Sequence, residues 1–321
     1  MESFLNRKVS RKSFIKIALA FLALLPFAGL LNKETAAAAD SAKFNGRPRK
    51  GIKGDYDLVI AKGDDPYLLT VKAVEAMGGM ERFVRKNSVV VVKPNIGWDR
   101  TPEQAANTNP LVVAALVELS FKAGAKKVKV FDVTCNDARR CYANSGIEKA
   151  AKEKGADVFF TDDWDTIAAR FDYDSPMEKW PMIRDAVECD TFINCPVLKH
   201  HGLAGLTLSM KNLMGVCGGN RGLIHRDIGE KLVDLAYFMN PDLNIIDAYR
   251  VLLRNGPTGG NLKDVMPART VIASTDTTLA DTYACTIVNT DPLSIPNIAV
   301  AAERKFGSID IEKASRKYIE V

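Results

Sequence analysis

The chain has 321 residues, 47% of them hydrophobic, enough to bury a large core in one large domain or in two packed lobes. Its formal charge is +5, but residues 1–39 hold six basic and two acidic side chains, a net of +4. The remainder carries only +1, which excludes the strongly basic surface of a nucleic-acid-binding protein.

In chain order the first segment, residues 1–39, has the layout of an export signal. A basic stretch, Ser10-Arg11-Lys12-Ser13-Phe14-Ile15-Lys16, precedes an apolar run from Ile17 to Leu31, and Thr35-Ala36-Ala37-Ala38-Ala39 offers small residues for cleavage before Asp40. The run is 15 residues and is interrupted by Pro26 and Gly29, shorter than the roughly 20 residues of a bilayer span. Cleavage near Ala39 is expected, with an uncleaved tether as the alternative. The segment resembles a twin-arginine signal in which Lys12 and Ile15 replace the usual residues, so the general secretory route stays open. Either route places the protein outside the cytoplasmic membrane, in a periplasmic or extracytoplasmic space, with membrane contact only through the signal.

Residues 40–54 are polar and rich in Gly, Lys and Arg, as in a linker, and 55–321 read as an α/β domain. Strands are expected at Tyr56–Ala61, Ser88–Val92, Val128–Phe131, Asp157–Phe160, Thr191–Asn194, Leu243–Asp247 and Thr270–Ala273. Helices are expected at Tyr67–Met77, Pro110–Lys122, Ile147–Lys154, Leu206–Met214, Ile228–Phe238 and Leu279–Thr286, the second opened by Asn109 before Pro110. The aromatic stretch Asp162–Pro181, with Trp164, Phe171, Tyr173 and Trp180, reads as a hairpin or an excursion over the sheet. Strands alternating with helices at this spacing predict a mainly parallel sheet with helices on both faces.

Ligands of such sheets bind beyond the carboxyl ends of the strands. Those ends run here into Lys93-Pro94-Asn95 with Asp99-Arg100-Thr101-Pro102 beyond, into Asp132-Val133-Thr134-Cys135, into Cys195-Pro196-Val197-Leu198-Lys199-His200-His201, and into Asp247. The ordinary polarity of loops accounts well for Asp132 and Asp247, and less well for Lys93, Lys199 and the paired histidines. All three histidines of the chain, His200, His201 and His225, fall in one segment with Lys211, Cys217 and the glycines Gly215, Gly218, Gly219 and Gly222. Histidine is the side chain most readily protonated near neutrality and the commonest metal ligand. The glycine run, with Arg221 as counter-charge, reads either as a backbone nest for a phosphate or as a helix-terminating loop. Six cysteines in an exported chain invite disulfides, Cys135–Cys141 among them, whereas an iron–sulfur site is disfavoured because no Cys-x-x-Cys occurs.

Several of these residues are familiar as a set. Val91-Val92-Lys93-Pro94-Asn95-Ile96-Gly97-Trp98, Thr108-Asn109-Pro110, Pro196-Val197-Leu198-Lys199-His200-His201-Gly202 and Thr207-Leu208-Ser209-Met210-Lys211-Asn212-Leu213-Met214-Gly215 resemble the domain of unknown function 362 family, over about residues 55–290. That resemblance implies a fold and a pocket but no settled reaction. Some members carry a ferredoxin-like domain with iron–sulfur clusters, whose cysteine pattern is not found in this sequence. A more distant likeness, to the nickel-dependent lactate racemase family, rests on Asp99-Arg100-Thr101-Pro102 and on the order His201, Lys211, His225. It implies a lysine bonded to a nickel-pincer nucleotide, with histidines as metal ligand and proton shuttle. Thr134-Cys135 stands where those enzymes carry a further histidine.

Together these readings imply an enzyme with a metal ion (nickel, iron or zinc) or a nucleotide-type cofactor. Lys211 would be the cofactor or phosphate anchor, His201 the general acid/base, and His201, His225 and Cys217 metal ligands. Lys93, Asp99, Arg100, Lys199, Gly218, Gly219 and Arg221 would bind cofactor or a small anionic substrate. The alternative is a non-catalytic binding or redox-accessory protein with a redox partner. In either case His201, Lys211 and His225 are expected to meet in one pocket, with Lys93 and Asp99–Arg100 on its rim.

Overall fold

A computed structural model describes residues 46–161, 166–171 and 175–321. Residues 1–39, expected to be an export signal, the first part of the expected linker, Trp164 and Tyr173 lie outside the described residues. In the described part of the linker, Arg47 is buried. It donates to the carbonyls of Ala186, Val187 and Cys189 and pairs with Asp242 at 3.1 Å, which docks residues around 47 onto the domain.

The strands are β1 (Leu58–Lys62), β2 (Val89–Pro94), β3 (Lys127–Val130), β4 (Asp157–Val158), β5 (Thr166–Arg170), β6 (Lys179–Ile183), β7 (Thr191–Cys195), β8 (Val197–His201), β9 (Gly205–Thr207), β10 (Leu243–Leu252), β11 (Val265–Ser274) and β12 (Arg316–Glu320). Among the described residues ten of them form one sheet, ordered β12-β1-β11-β10-β7-β2-β3-β4, with β8 on β10 and β9 on β8. The sheet is α/β and mostly parallel, as expected. The exceptions are β11, antiparallel to both β10 and β1, and β9, antiparallel to β8. The chain returns from β10 to β11 by a loop with no crossover helix, and a direct return of that kind makes an antiparallel pair.

The strands of the parallel core read as near-continuous apolar runs because both faces are covered. Val90 and Val92 of β2 pack into one core with Val59, Ala61, Ile193, Leu243 and Val271, beneath helices Pro66–Ala76, Pro110–Lys122 and Ile147–Glu153. The alternate residues Val91 and Phe192 face helices Ile228–Met239 and Pro296–Glu303, and Ile60, Ile246 and Ile272 face helix Thr277–Ile287. Each such side chain, fully buried, contributes about 1.5–3 kcal/mol of transfer free energy. The described residues form one unit and not two lobes. None of their helices is long and apolar enough to cross a membrane.

The aromatic stretch forms the antiparallel hairpin β5–β6. The expected helix Leu206–Met214 is instead strand β9, a single helical turn Ser209–Asn212 and a 3-10 turn Leu213–Val216. Leu206 pairs with His200 across the ladder, and this overrides the helical spacing of its sequence. The disulfide expectation is corrected: all six cysteines are free thiols. Five are buried and Cys135 alone is exposed. A maleimide added to native protein is therefore expected to label one thiol rapidly, at Cys135, and the other five only on unfolding. Two or more fast-reacting thiols would contradict this packing.

Candidate functional site

From β2 the chain moves outward to β3 and β4, then returns to place β7 on the other side of β2. That reversal of strand order is where open α/β sheets leave a crevice. A cleft of about 460 Å³ lies there, lined by Lys93, Asn95, Trp98, Asp132, Cys135, Lys199, His201, Lys211, Asn212, Arg221 and His225, among others.

Lys93, at the end of β2, is wholly buried. Its ammonium lies 2.9 Å from Asp132 Oδ1, at the end of β3, and donates to the carbonyl and Oδ1 of Asn212 at 2.6 and 2.9 Å. Burial lowers its pKa, and the charge of Asp132 acts against that shift. The other oxygen of Asp132 accepts from the Ile96 amide at 2.6 Å. Gly215 lies directly over this pair: a Cβ there would overlap the Asp132 carboxylate and the Lys93 side chain, so the close approach requires glycine.

The segment after Pro196, expected as a loop, is strand β8. Its period of two turns Lys199 and His201 into the cleft, while His200 between them is not part of the lining. The Lys199 ammonium is used up by three acceptors, Asn95 Oδ1, the Ala106 carbonyl and the Pro257 carbonyl, and burial brings its pKa down to about 7.

His201 and His225 stack with ring centroids 5.7 Å apart and an 18° tilt. Their hydrogen bonds fix opposite tautomers. His201 Nδ1 accepts from the amides of Leu203 and Ala204, both at 3.2 Å, so its neutral ring carries hydrogen on Nε2 and acts as a donor. His225 Nδ1 donates to the Gly222 carbonyl at 3.3 Å, which leaves a lone pair on Nε2. Burial first, then the charge of Lys211, lowers both pKa values, that of His201 to about 3.

The shift has a consequence for stability. The unfolded chain takes up a proton on His201 near its ordinary 6.5, whereas the folded chain resists protonation down to about 3. The stability that neutral His201 confers is therefore present above pH 6.5 and is lost as pH falls toward 3. Urea midpoints measured across that window are expected to fall more steeply for the native chain than for His201→Gln; equal slopes would refute it.

Lys211 stands on the turn Ser209–Asn212, whose first amides donate to the buried Asp281 carboxylate, Ser209 at 2.7 Å and Met210 at 3.1 Å. Among the described residues its ammonium has no hydrogen-bond or ion-pair partner. Burial, together with the charges of Arg221 and Lys93, lowers its pKa to about 8. Arg221 donates to the carbonyls of Val133 and Thr134 at 2.8 and 2.7 Å, and so ties the glycine-rich turn to the loop after β3.

Other expected residues are not brought into the cleft. The Asp99 carboxylate is taken by Arg140 and Asn144, both at 2.5 Å, and Arg100 donates to the Asp99 and Gly259 carbonyls; neither lines the cleft. Cys217 is corrected as a metal ligand: its thiol is buried against Met182 Sδ at 3.7 Å, and burial raises its pKa to about 12. Gly218 does not offer its amide to a phosphate. Gly218 donates to the Pro181 carbonyl at 2.8 Å and accepts from Trp180 Nε1 at 3.1 Å, so its backbone is committed to the β5–β6 hairpin, and Gly219 lies beside Pro181.

A metal ion held by side chains alone does not fit. Among the described residues no three His, Cys, Asp or Glu side chains gather, and His201 faces the cleft with an N–H in place of a lone pair. For a nickel-pincer nucleotide, Lys211 offers an unpaired amine, while of the glycine run the Gly218 amide is already spent on the Pro181 carbonyl.

The sequence reading missed part of the site. Asp132 is the partner of Lys93, although loop polarity alone accounted for it. Asn212 Nδ2 donates to Asn194 Oδ1 at 2.8 Å, and Asn194 Nδ2 to Asn244 Oδ1 at 3.0 Å, a buried amide chain beneath the cleft. Trp98 faces Lys199 with its ring, 5.8 Å from ammonium to centroid. Asn194, near the end of β7, and Asn244, at the start of β10, each stand between two apolar neighbours in a buried strand, a signal that could have been used. Asp247, by contrast, is structural as loop polarity implied: its carboxylate accepts from the amides of Asn109 and Tyr249.

Comparison with known proteins agrees with the residue pattern. The model of the family described as "Domain of unknown function (DUF362)" matches residues 90–286, a span that contains the whole lining of the cleft. The thylakoid-associated protein sll1697 of Synechocystis sp. is 30% identical over 240 residues, covering 72% of each chain. Among solved structures, the lactate racemase apoprotein from Thermoanaerobacterium thermosaccharolyticum aligns with 76% of this chain at 12% identity and a TM-score of 0.41. This chain spans 61% of that protein's length, and a likeness so slight assigns nothing here. On the family match and the curated relative, the chain belongs to the DUF362 family.

Proposed function

We propose that the protein is an exported enzyme acting on a small anionic substrate, a carboxylate or a phosphate, in the cleft between β2 and β7. One observation carries this reading. Lys199, Lys211 and Arg221 share the cleft, and among the described residues none has a carboxylate partner, the single acid Asp132 being spent on Lys93. Cations held out of water without counter-charge are costly, and a bound anion offsets that cost through charge-assisted hydrogen bonds. The imidazoles supply complementary roles beside it. His201 Nε2–H donates to an oxygen that gains charge, and His225 Nε2 accepts a proton. No step is assigned to a metal, because the donor set does not hold one.

Titration calorimetry with inorganic phosphate and with malonate tests the reading. Binding is expected to be strongest below pH 7 and to weaken as pH rises through 7 and 8, where first Lys199 and then Lys211 lose their protons. No binding of either anion at any pH overturns it. Export is supported by the order of residues 1–39. Amino-terminal sequencing of protein from its own host should begin near Asp40, and Met1 on soluble cytoplasmic protein would count against export.

A further inference from the structure

The three lysines of the cleft differ chemically. Lys93 is locked in an ion pair and two further hydrogen bonds, and Lys199 spends its three N–H bonds on three acceptors. Lys211 has neither kind of partner among the described residues, yet its backbone is held in place by the Asp281 carboxylate at the start of its turn. A positioned but unbonded amine serves a bound ligand and nothing in the fold.

We propose that Lys211 forms an imine with the carbonyl carbon of a small aldehyde or ketone that also carries a carboxylate or phosphate. This rests on the anionic-substrate reading and adds to it the reacting group and the bond made. Arg221 and the Lys199 charge attract the anionic group, leaving the Lys211 nitrogen for the carbonyl carbon. The nitrogen lone pair forms the C–N bond as the carbonyl π pair moves onto oxygen, where His201 Nε2–H donates to it. His225 Nε2 then relays the two protons that leave nitrogen to the two that oxygen takes up. The oxygen departs as water and the C=N bond closes, with no change of oxidation state. Burial among like charges keeps part of Lys211 as free amine near neutrality, its pKa standing at about 8.

The test uses the full chain, pyruvate and glycolaldehyde phosphate as probes, and sodium cyanoborohydride to reduce any imine to a stable secondary amine. Intact mass and peptide mapping are expected to find one adduct per chain, on Lys211. The variant Lys211→Arg keeps the charge and removes the nucleophile, so it should lose the adduct about tenfold or more while still binding inorganic phosphate. Replacing Lys149, exposed on another helix, should change neither result. Phosphate binding by the native chain without an adduct from either probe overturns the imine and leaves the anion-binding reading standing. Adducts scattered over surface lysines overturn it equally. Failure of both phosphate binding and trapping removes the two together.

Discussion

Replacing Lys93 with methionine is expected to lower folding stability by about 3–5 kcal/mol, the cost of leaving one member of a buried ion pair alone. Methionine fills nearly the same volume, so the loss comes from electrostatics. Asp132, only 3% exposed, would keep its carboxylate in a place water does not reach, the Asn212 carbonyl would lose the Lys93 donor, and Asn212 Oδ1 would keep only the longer bond from Asn95 Nδ2. The double variant Lys93→Met, Asp132→Asn should recover part of the loss, because it removes both charges. Urea denaturation of the three proteins measures this. A single variant within about 1 kcal/mol of the native chain would show that the pair contributes little.

The second large effect concerns binding. Lys211→Met is expected to weaken inorganic phosphate binding about a hundredfold or more, in the range seen when one member of a desolvated charge pair is truncated. Stability should hold or rise, since the substitution removes an unpaired, half-buried cation and breaks no hydrogen bond among the described residues. Calorimetry and a thermal melt on the same samples separate the two. A large loss of stability with intact binding would mean that Lys211 serves the fold.

The parallel core was legible because its strands are short, β-branched and bounded by turns, and helix Pro110–Lys122 because Asn109 and Pro110 mark its start. Strand β8 was not legible. Val197-Leu198-Lys199-His200-His201 carries a charge at its centre, and only the burial of Lys199 against three acceptors makes that acceptable in a strand. Helices Ala138–Asn144, Arg184–Glu188 and Pro296–Glu303 were missed for a related reason: the first two are short, and none shows a clear apolar stripe.

At the site, the clustering of the histidines with Lys211 pointed to one place. The roles assigned there depended on details that sequence does not carry. Whether His201 offers a hydrogen or a lone pair follows from two amides, two and three residues further along the chain, that meet its Nδ1 at 3.2 Å. Whether Cys217 faces cleft or core follows from a hairpin that begins fifty residues earlier. Asp99 and Arg100 matched a motif, but local partners claimed them first.

The alternation of β8 has a further consequence for how this site tolerates change. Lys199 and His201 reach the cleft only because they are two apart on a strand whose pairing with β10 fixes their side. A one-residue deletion between Pro196 and Lys199 would leave composition, charge and most of the motif intact, yet it would rotate His200 into the cleft and send both residues out. Loss of function by such a frame slip would be invisible to any comparison that scores residues singly, and a second deletion between His201 and Leu206 could not repair it.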